Sequence, residues 1–196
     1  MTLNVVAQQM ISAGSDGFQC DHPAPLTDFD GTKYMGTWYE QAHTKGMHYG
    51  PDSNTCTEAQ YYDLTSDGSF VVSNTSEPQS QAGPRTGVKG NGLCPNATGQ
   101  CFVSFYGGYP AEPNYNVVST DYTTYAVVYS CDEEAKFASL YYLSRTAVMT
   151  REQLAQCEAI AKASLPNYDF NDVYYDEQGT QCSYVPEPAY DLNMWL

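Results

Sequence analysis

Residues 55–75 read TCTEAQYYDLTSDGSFVVSNT: two runs rich in aromatic and β-branched side chains, hinged at Ser66-Asp67-Gly68. Two such runs joined by a tight turn make a β-hairpin. The pattern spreads outward from there. Upstream, Gly36 to Met47 reads as a strand; downstream, Gln79 to Gly92 is rich in glycine and polar residues and makes a weak strand at best. Cys94 to Cys101 reads as the next turn, with Pro95-Asn96 at its tip. Further strand-like runs follow at Gln100 to Tyr106, Tyr115 to Thr120, Tyr125 to Cys131 and Phe137 to Arg145. Thr150-Arg151-Glu152-Gln153 then forms a capping box that opens a helix to about Ser164, before Leu165-Pro166. Leu154, Cys157, Ile160, Ala161 and Leu165 recur at helical spacing, so one stripe of that helix lies on an apolar surface. A short strand around Val173 to Tyr175 and a tail tied at Cys182 follow. Eight short antiparallel strands and one helix predict an all-β fold, an up-and-down β-barrel with the helix packed outside. Closure removes the exposed edges that a sandwich would keep. A barrel of that size holds one small ligand. The expected organisation is an irregular arm at 1–27, the barrel plus helix at 28–182 and a tail at 183–196.

Composition narrows the function. The 196 residues carry 23 acids against 8 bases, a formal charge of −15, which repels nucleic acid and anionic lipid. Eighteen tyrosines suit an aromatic-lined cavity with scattered hydroxyls. No stretch approaches the roughly 20 apolar residues of a membrane span. Val5-Val6 and Met10-Ile11 are too short for the core of a secretion leader, and no Lys or Arg precedes Lys33, so a secreted protein would have its leader outside this sequence. The seven cysteines, at 20, 56, 94, 101, 131, 157 and 182, show no C-x-x-C pair. They argue against metal and for structural disulfides made in an oxidising compartment, with one thiol left over, so the expected location is extracellular. Two glycosylation triplets, Asn74-Thr75-Ser76 and Asn96-Ala97-Thr98, fit secretion.

Three motifs in order resemble those of the lipocalins, over roughly Cys20 to Cys182. Asp28-Phe29-Asp30 with Tyr34-Met35-Gly36-Thr37-Trp38-Tyr39 is similar to the first, a short helical plug leading into the first strand. Thr120-Asp121-Tyr122 with the run Tyr125 to Cys131 is similar to the second, and Leu143-Ser144-Arg145 to the third. The group containing apolipoprotein D, retinol-binding protein, bilin-binding proteins and crustacyanins is the nearest. The resemblance implies a structural role for Gly36, Trp38, Thr120, Asp121 and Arg145. Trp38 stacks under Arg145 at the closed end, a cation–π contact worth roughly 0.5–2 kcal/mol. It also implies bridges of Cys20 to Cys131, Cys56 to Cys182 and Cys94 to Cys101, and leaves Cys157 as a buried free thiol, with an intermolecular bridge as the alternative.

Strand alternation spreads one anchored residue along its strand. Trp38 inward puts Glu40 and Ala42 inward; Arg145 inward does the same for Leu143, Tyr141 and Ser139. The resemblance adds Ala59, Tyr61, Phe70, Val72, Val103, Phe105, Tyr115, Val117, Ala126 and Val128, and leaves Tyr125, Val127 and Tyr129 on the helix side. Asn74, in register with Phe70 and Val72, points into the mouth as a polar ligand contact, which leaves Asn96 as the better glycosylation site. Glu40 is the one inward carboxylate expected. No histidine is expected on a strand wall: His43 and His48 fall at the open end of the first strand or in its loop, solvated or capping the ligand. The expected function is a secreted, non-enzymatic binding protein for one small hydrophobic molecule: a bilin, carotenoid, retinoid, sterol or fatty acid. No catalytic cofactor is implied, only a non-covalent bilin or carotenoid chromophore. A fatty acid needs a cation at the mouth, for which Arg85 and Lys89 are the candidates. The alternatives are an isomerase or de-epoxidase on the same fold, and a homo-oligomer with pigment at a subunit interface.

Overall fold

The structure is a computed structural model that describes residues 17–47, 54–78 and 84–187. His48 and most of the N-terminal arm lie outside the described residues. Eight antiparallel strands follow one another around a barrel: β1 (Gly36–Thr44), β2 (Asn54–Tyr62), β3 (Ser69–Pro78), β4 (Thr86–Leu93), β5 (Gln100–Ser104), β6 (Tyr115–Thr120), β7 (Tyr125–Asp132) and β8 (Phe137–Ser144). β1 pairs with both β8 and β2, which closes the sheet. A ninth strand, β9 (Val173–Tyr175), adds to the far half of β1, where β2 has already diverged.

Alternation sorts the side chains into two cores. Inside the barrel, Trp38, Tyr61, Phe70, Val72, Val117, Ala126, Val128 and Leu143 pack together over α1 (Gly31–Tyr34), the plug beneath them. Outside, Tyr125, Val127, Tyr129, Leu140 and Tyr142 meet Cys157, Ala161 and Leu165 along α2 (Arg151–Ser164). The Thr150 hydroxyl accepts from Gln153 N, and the Gln153 side chain accepts from Thr150 N, which satisfies the first turn of that helix.

The structure corrects three details. Register shifts fall in β1, β2 and β6, and the first of them reverses an expected facing. That one, at Gln41, lets Glu40 and Ala42 oppose consecutive residues of β8, so Ala42 turns outward into the helix-side core and His43 turns inward opposite Tyr141. A histidine therefore does stand on a strand wall. The shift at Val118 leaves the expected facing intact, with Val117 inside and Val118 on the helix side. Third, the polar stretch expected to be a weak strand makes an unbroken eight-residue ladder with β3. Its glycines are the reason: a Cβ on Gly92 would lie 2.0 Å from Phe70 Cζ, and one on Gly90 would lie 2.7 Å from Phe105 Cδ1. The strand gives up its own side chains so that rings from its neighbours can fill the interior.

Three disulfides staple the frame, joining Cys20 to Cys131, Cys56 to Cys182 and Cys94 to Cys101, while Cys157 is a free thiol buried on the inner face of α2. Residues 176–187 run across the outside of β1 and β2. Cys56 N donates to Glu177 O at 2.9 Å, Gln60 Nε2 to Val185 O at 2.8 Å, and Val185 N to the buried Glu58 at 2.8 Å. Glu58 is paired at 2.8 Å with Arg85, which also holds Glu77 and Cys56 O.

Candidate functional site: a calyx closed at one end

The closed end is a stack. Trp38 is fully buried, with its Nε1 donating to Tyr34 O at 2.9 Å, and the Arg145 guanidinium lies 3.8 Å from its ring centre. Arg145 donates to the carbonyls of Thr37, Met35, Lys33 and Tyr122 at 2.8–3.0 Å, and so ties the plug and the β6–β7 turn to the barrel. Gly36 has φ +95°, and a Cβ there would stand 3.2 Å from the guanidinium, so glycine serves both backbone and packing. Asp121 accepts from the backbone of Thr123, Thr124 and Tyr125, and the Thr120 hydroxyl donates to Tyr125 O, which holds the turn that presents the Tyr122 carbonyl. All five motif residues serve the floor.

Above the floor the inner face changes character. Tyr61, Phe70, Val72, Val117, Ala126, Val128 and Leu143 are buried against one another. Ala59, Asn74, Val103, Phe105, Tyr115 and Tyr141 share the same face and are only partly buried, with Ala59 directly opposite Trp38. Together they bound the barrel interior, the cup. The Tyr115 hydroxyl meets that of Tyr34 at 2.8 Å and that of Tyr61 at 2.9 Å, a three-phenol chain at the base. Burial raises all three phenol pKa values, so these groups stay neutral donors and acceptors at physiological pH. Asn74 faces Ala59 and Val88 across the ladders, and its Oδ1 is buried with no hydrogen-bond partner among the described residues.

At the wall between β1 and β8, Glu40 and His43 are joined by Asp176, which follows β9. His43 Nδ1 stands 3.1 Å from both Glu40 Oε1 and Asp176 Oδ2, and the Asp176 side chain is fully buried. Burial works against a charged imidazole, but Asp176 and Glu40 outweigh it and lift His43 to about 10. Glu40 is thus not the one inward carboxylate: Asp176 shares its site. The strand around Val173–Tyr175 is readable in the sequence, but its pairing with β1 is not, so nothing there marked Asp176. Arg85 is committed to Glu58 on the outer face and Lys89 lies 5.3 Å from the Tyr62 ring centre, so neither serves the cup as a mouth cation. Asn96 is exposed at its turn tip. A crevice of about 310 Å³ at the closed end runs between the plug, residues 64–68 and residues 94–97. A second, of about 300 Å³, lies beside Gly36, Gln60 and Glu187. The first also touches Tyr34, Phe70 and Tyr115, and so reaches the phenols at the base of the barrel interior.

A family model described as "Lipocalin-like domain" matches residues 29–178. Bovine apolipoprotein D is 32% identical over 115 residues, covering 58% of this chain and 57% of its own length. The chain spans a similar share, 60%, of the Lazarillo protein of Schistocerca americana. The bilin-binding protein of Pieris brassicae is 28% identical over 98% of this chain and 97% of its own. Among solved structures, insecticyanin from the tobacco hornworm Manduca sexta superposes with a TM-score of 0.67 at 22% identity, covering 83% of this chain and 87% of that one.

Proposed function

Because the chain belongs to the lipocalin family, we propose that it binds one small hydrophobic molecule in the cup above Tyr115, as a secreted carrier or sequestering protein and not an enzyme. The observation that carries this reading is the change in burial along the inner face. Trp38, Val72, Ala126, Val128 and Leu143 are sealed, whereas Phe105, Tyr115 and Tyr141 on the same inner face keep partly uncovered apolar surface. Such surface gains by about 25 cal/mol per Å² when a ligand covers it.

Two polar features favour a ligand class. The Asn74 Oδ1, unpartnered among the described residues, asks for an N–H or O–H donor, and Arg85 and Lys89 are engaged elsewhere instead of facing a ligand carboxylate. A conjugated ligand with N–H or O–H groups, such as a bilin or a hydroxylated carotenoid or retinoid, fits better than a fatty acid. The Pieris brassicae relative, named for bilin binding, supports the same choice. Three disulfides are consistent with an oxidising compartment, and Asn96 is the sequon placed to carry a glycan.

Displacement of a fluorescent apolar probe tests the site. Tyr141→Ala and Phe105→Ala should each weaken binding about 10- to 100-fold, from the roughly 1.5–3 kcal/mol of a large apolar side chain. Tyr129→Phe, on the helix side of the wall, should leave affinity unchanged. Loss of binding in Tyr129→Phe with retention in the other two would place the ligand at a subunit interface instead.

A further inference from the structure

We propose that Glu40, His43 and Asp176 form a site for one borderline divalent transition-metal cation, of the Zn2+ type, in the wall of the calyx. The proposal does not require that the cup carry an organic ligand.

The donor atoms already converge. Glu40 Oε1 and Asp176 Oδ2 each stand 3.1 Å from His43 Nδ1, and all three atoms lie within 4.8 Å of one another. Around a tetrahedral zinc with bonds of about 2.0–2.1 Å, neighbouring donors are about 3.3 Å apart, so two of the three edges are close to the required length. Closing the third needs a small swing of Glu40, the most exposed of the three side chains at 16%. A neutral imidazole and two carboxylates are a donor set that this class of metal accepts.

Charge supports the assignment. The His43 imidazole faces two carboxylates at equal distance, Glu40 and Asp176 each 3.1 Å from Nδ1. A divalent cation in that place balances both carboxylates and leaves the ring neutral. The backbone also holds the donors in place. The Gln41 bulge brings Glu40 and His43 onto one face, Asp176 N donates to Gln41 O at 3.0 Å, and Gln178 Nε2 donates to Glu40 O at 2.7 Å. Three protein donors leave a fourth position, the arrangement of an open zinc site. Cysteine spacing argues against metal in this chain, but these donors come from a bulge and a paired strand that spacing does not record.

The full, disulfide-intact chain is dialysed against Zn2+ alone in competition with a chromophoric chelator. We expect one zinc per chain, with affinity lowered at least about 10-fold by each of Glu40→Gln, His43→Gln and Asp176→Asn. His22→Ala, on the exposed arm, should bind as the parent does. Circular dichroism checks the fold of each variant, and Glu40→Gln decides the matter if the fully buried Asp176 tolerates no change. Absence of stoichiometric zinc in the parent chain overturns the proposal, as does parental affinity in any folded variant of the three. Probe binding to the cup is measured separately, so failure of the metal site leaves the calyx reading intact, and the reverse.

Discussion

Replacing Gly92 by alanine sets two effects of opposite sign against each other. Gly92 lies in β4 with no left-handed φ, so alanine fits its backbone and, by restricting the unfolded chain, should stabilise by about 0.4–1 kcal/mol. The added Cβ, however, would stand 2.0, 2.3 and 2.5 Å from Phe70 Cζ, Cε2 and Cε1. Ordinary contact begins near 3.4 Å, so the ring tip must retreat by about 1.4 Å. Its retreat is obstructed by Tyr61, edge-on at 5.7 Å and anchored to Tyr115 through its hydroxyl. Overpacking of this kind costs about 1–3 kcal/mol. The net expectation is a loss of about 1–2 kcal/mol, read in urea as a lower midpoint at constant slope, with a fall in Tm of roughly 2–8 °C for a chain of this size. Phe70→Leu removes the atoms the Cβ meets, so the double variant should cost about 1 kcal/mol less than the sum of the single ones. Neutral or raised stability in Gly92→Ala, or strict additivity in the double variant, would refute the idea that β4 is glycine-rich to make room for its neighbours' rings.

Other parts of the molecule make independent predictions. Burial pushes the Cys157 thiol up to about 12, so at pH 8 it carries no appreciable thiolate; a chromogenic disulfide reagent should ignore the native protein and find one thiol per chain in denaturant, and prompt labelling of the native form would contradict this. Glu58→Gln removes one of the two carboxylates on an Arg85 side chain that is only 8% exposed, leaving Glu77, and should cost about 1–3 kcal/mol in urea unfolding; no measurable loss would mean the pair is well solvated. The phenols of Tyr34, Tyr61 and Tyr115 are raised by burial. The unfolded chain therefore loses those protons first, near the ordinary value of about 10, and stability falls as pH rises above it. An ultraviolet titration of the folded protein to about pH 11 should leave these three unionised, and full tyrosinate absorbance there would count against a dry base to the cup.

The strands were legible wherever side chains alternate between aromatic or β-branched and polar. β2, β3, β7 and β8 have that pattern, as has the capped helix from Thr150. β4 was faint because propensity scores a residue for its own packing, and Gly90 and Gly92 act by packing nothing. The resemblance supplied the inner-face positions on β2, β3 and β5, among them Tyr61, Phe70 and Val103, and alternation from Arg145 carried that face along β8 to Tyr141. Alternation failed on β1 beyond Gln41, since one extra residue reverses everything after it, and so misplaced Ala42 and hid His43. Asp176 was invisible for a different reason. Its neighbours Glu40 and His43 lie more than 130 residues away in the chain, and neither local pattern nor spacing reports a pairing of that range.

The seam between β1 and β2 has a consequence in time. Gln178 Nε2 reaches both Glu40 O and Thr57 O at 2.7 Å, and Cys56 is bound covalently to Cys182. The strands made first are therefore sewn together by residues made more than a hundred positions later. On a ribosome adding roughly 5–20 residues per second, the hairpins from β2 to β5 can form while β1 still lacks its partners in β8 and β9. The nascent chain thus spends seconds as an open sheet with two unpaired edges and an uncovered aromatic face. In that interval its unpaired edges and uncovered aromatic face are open to other chains.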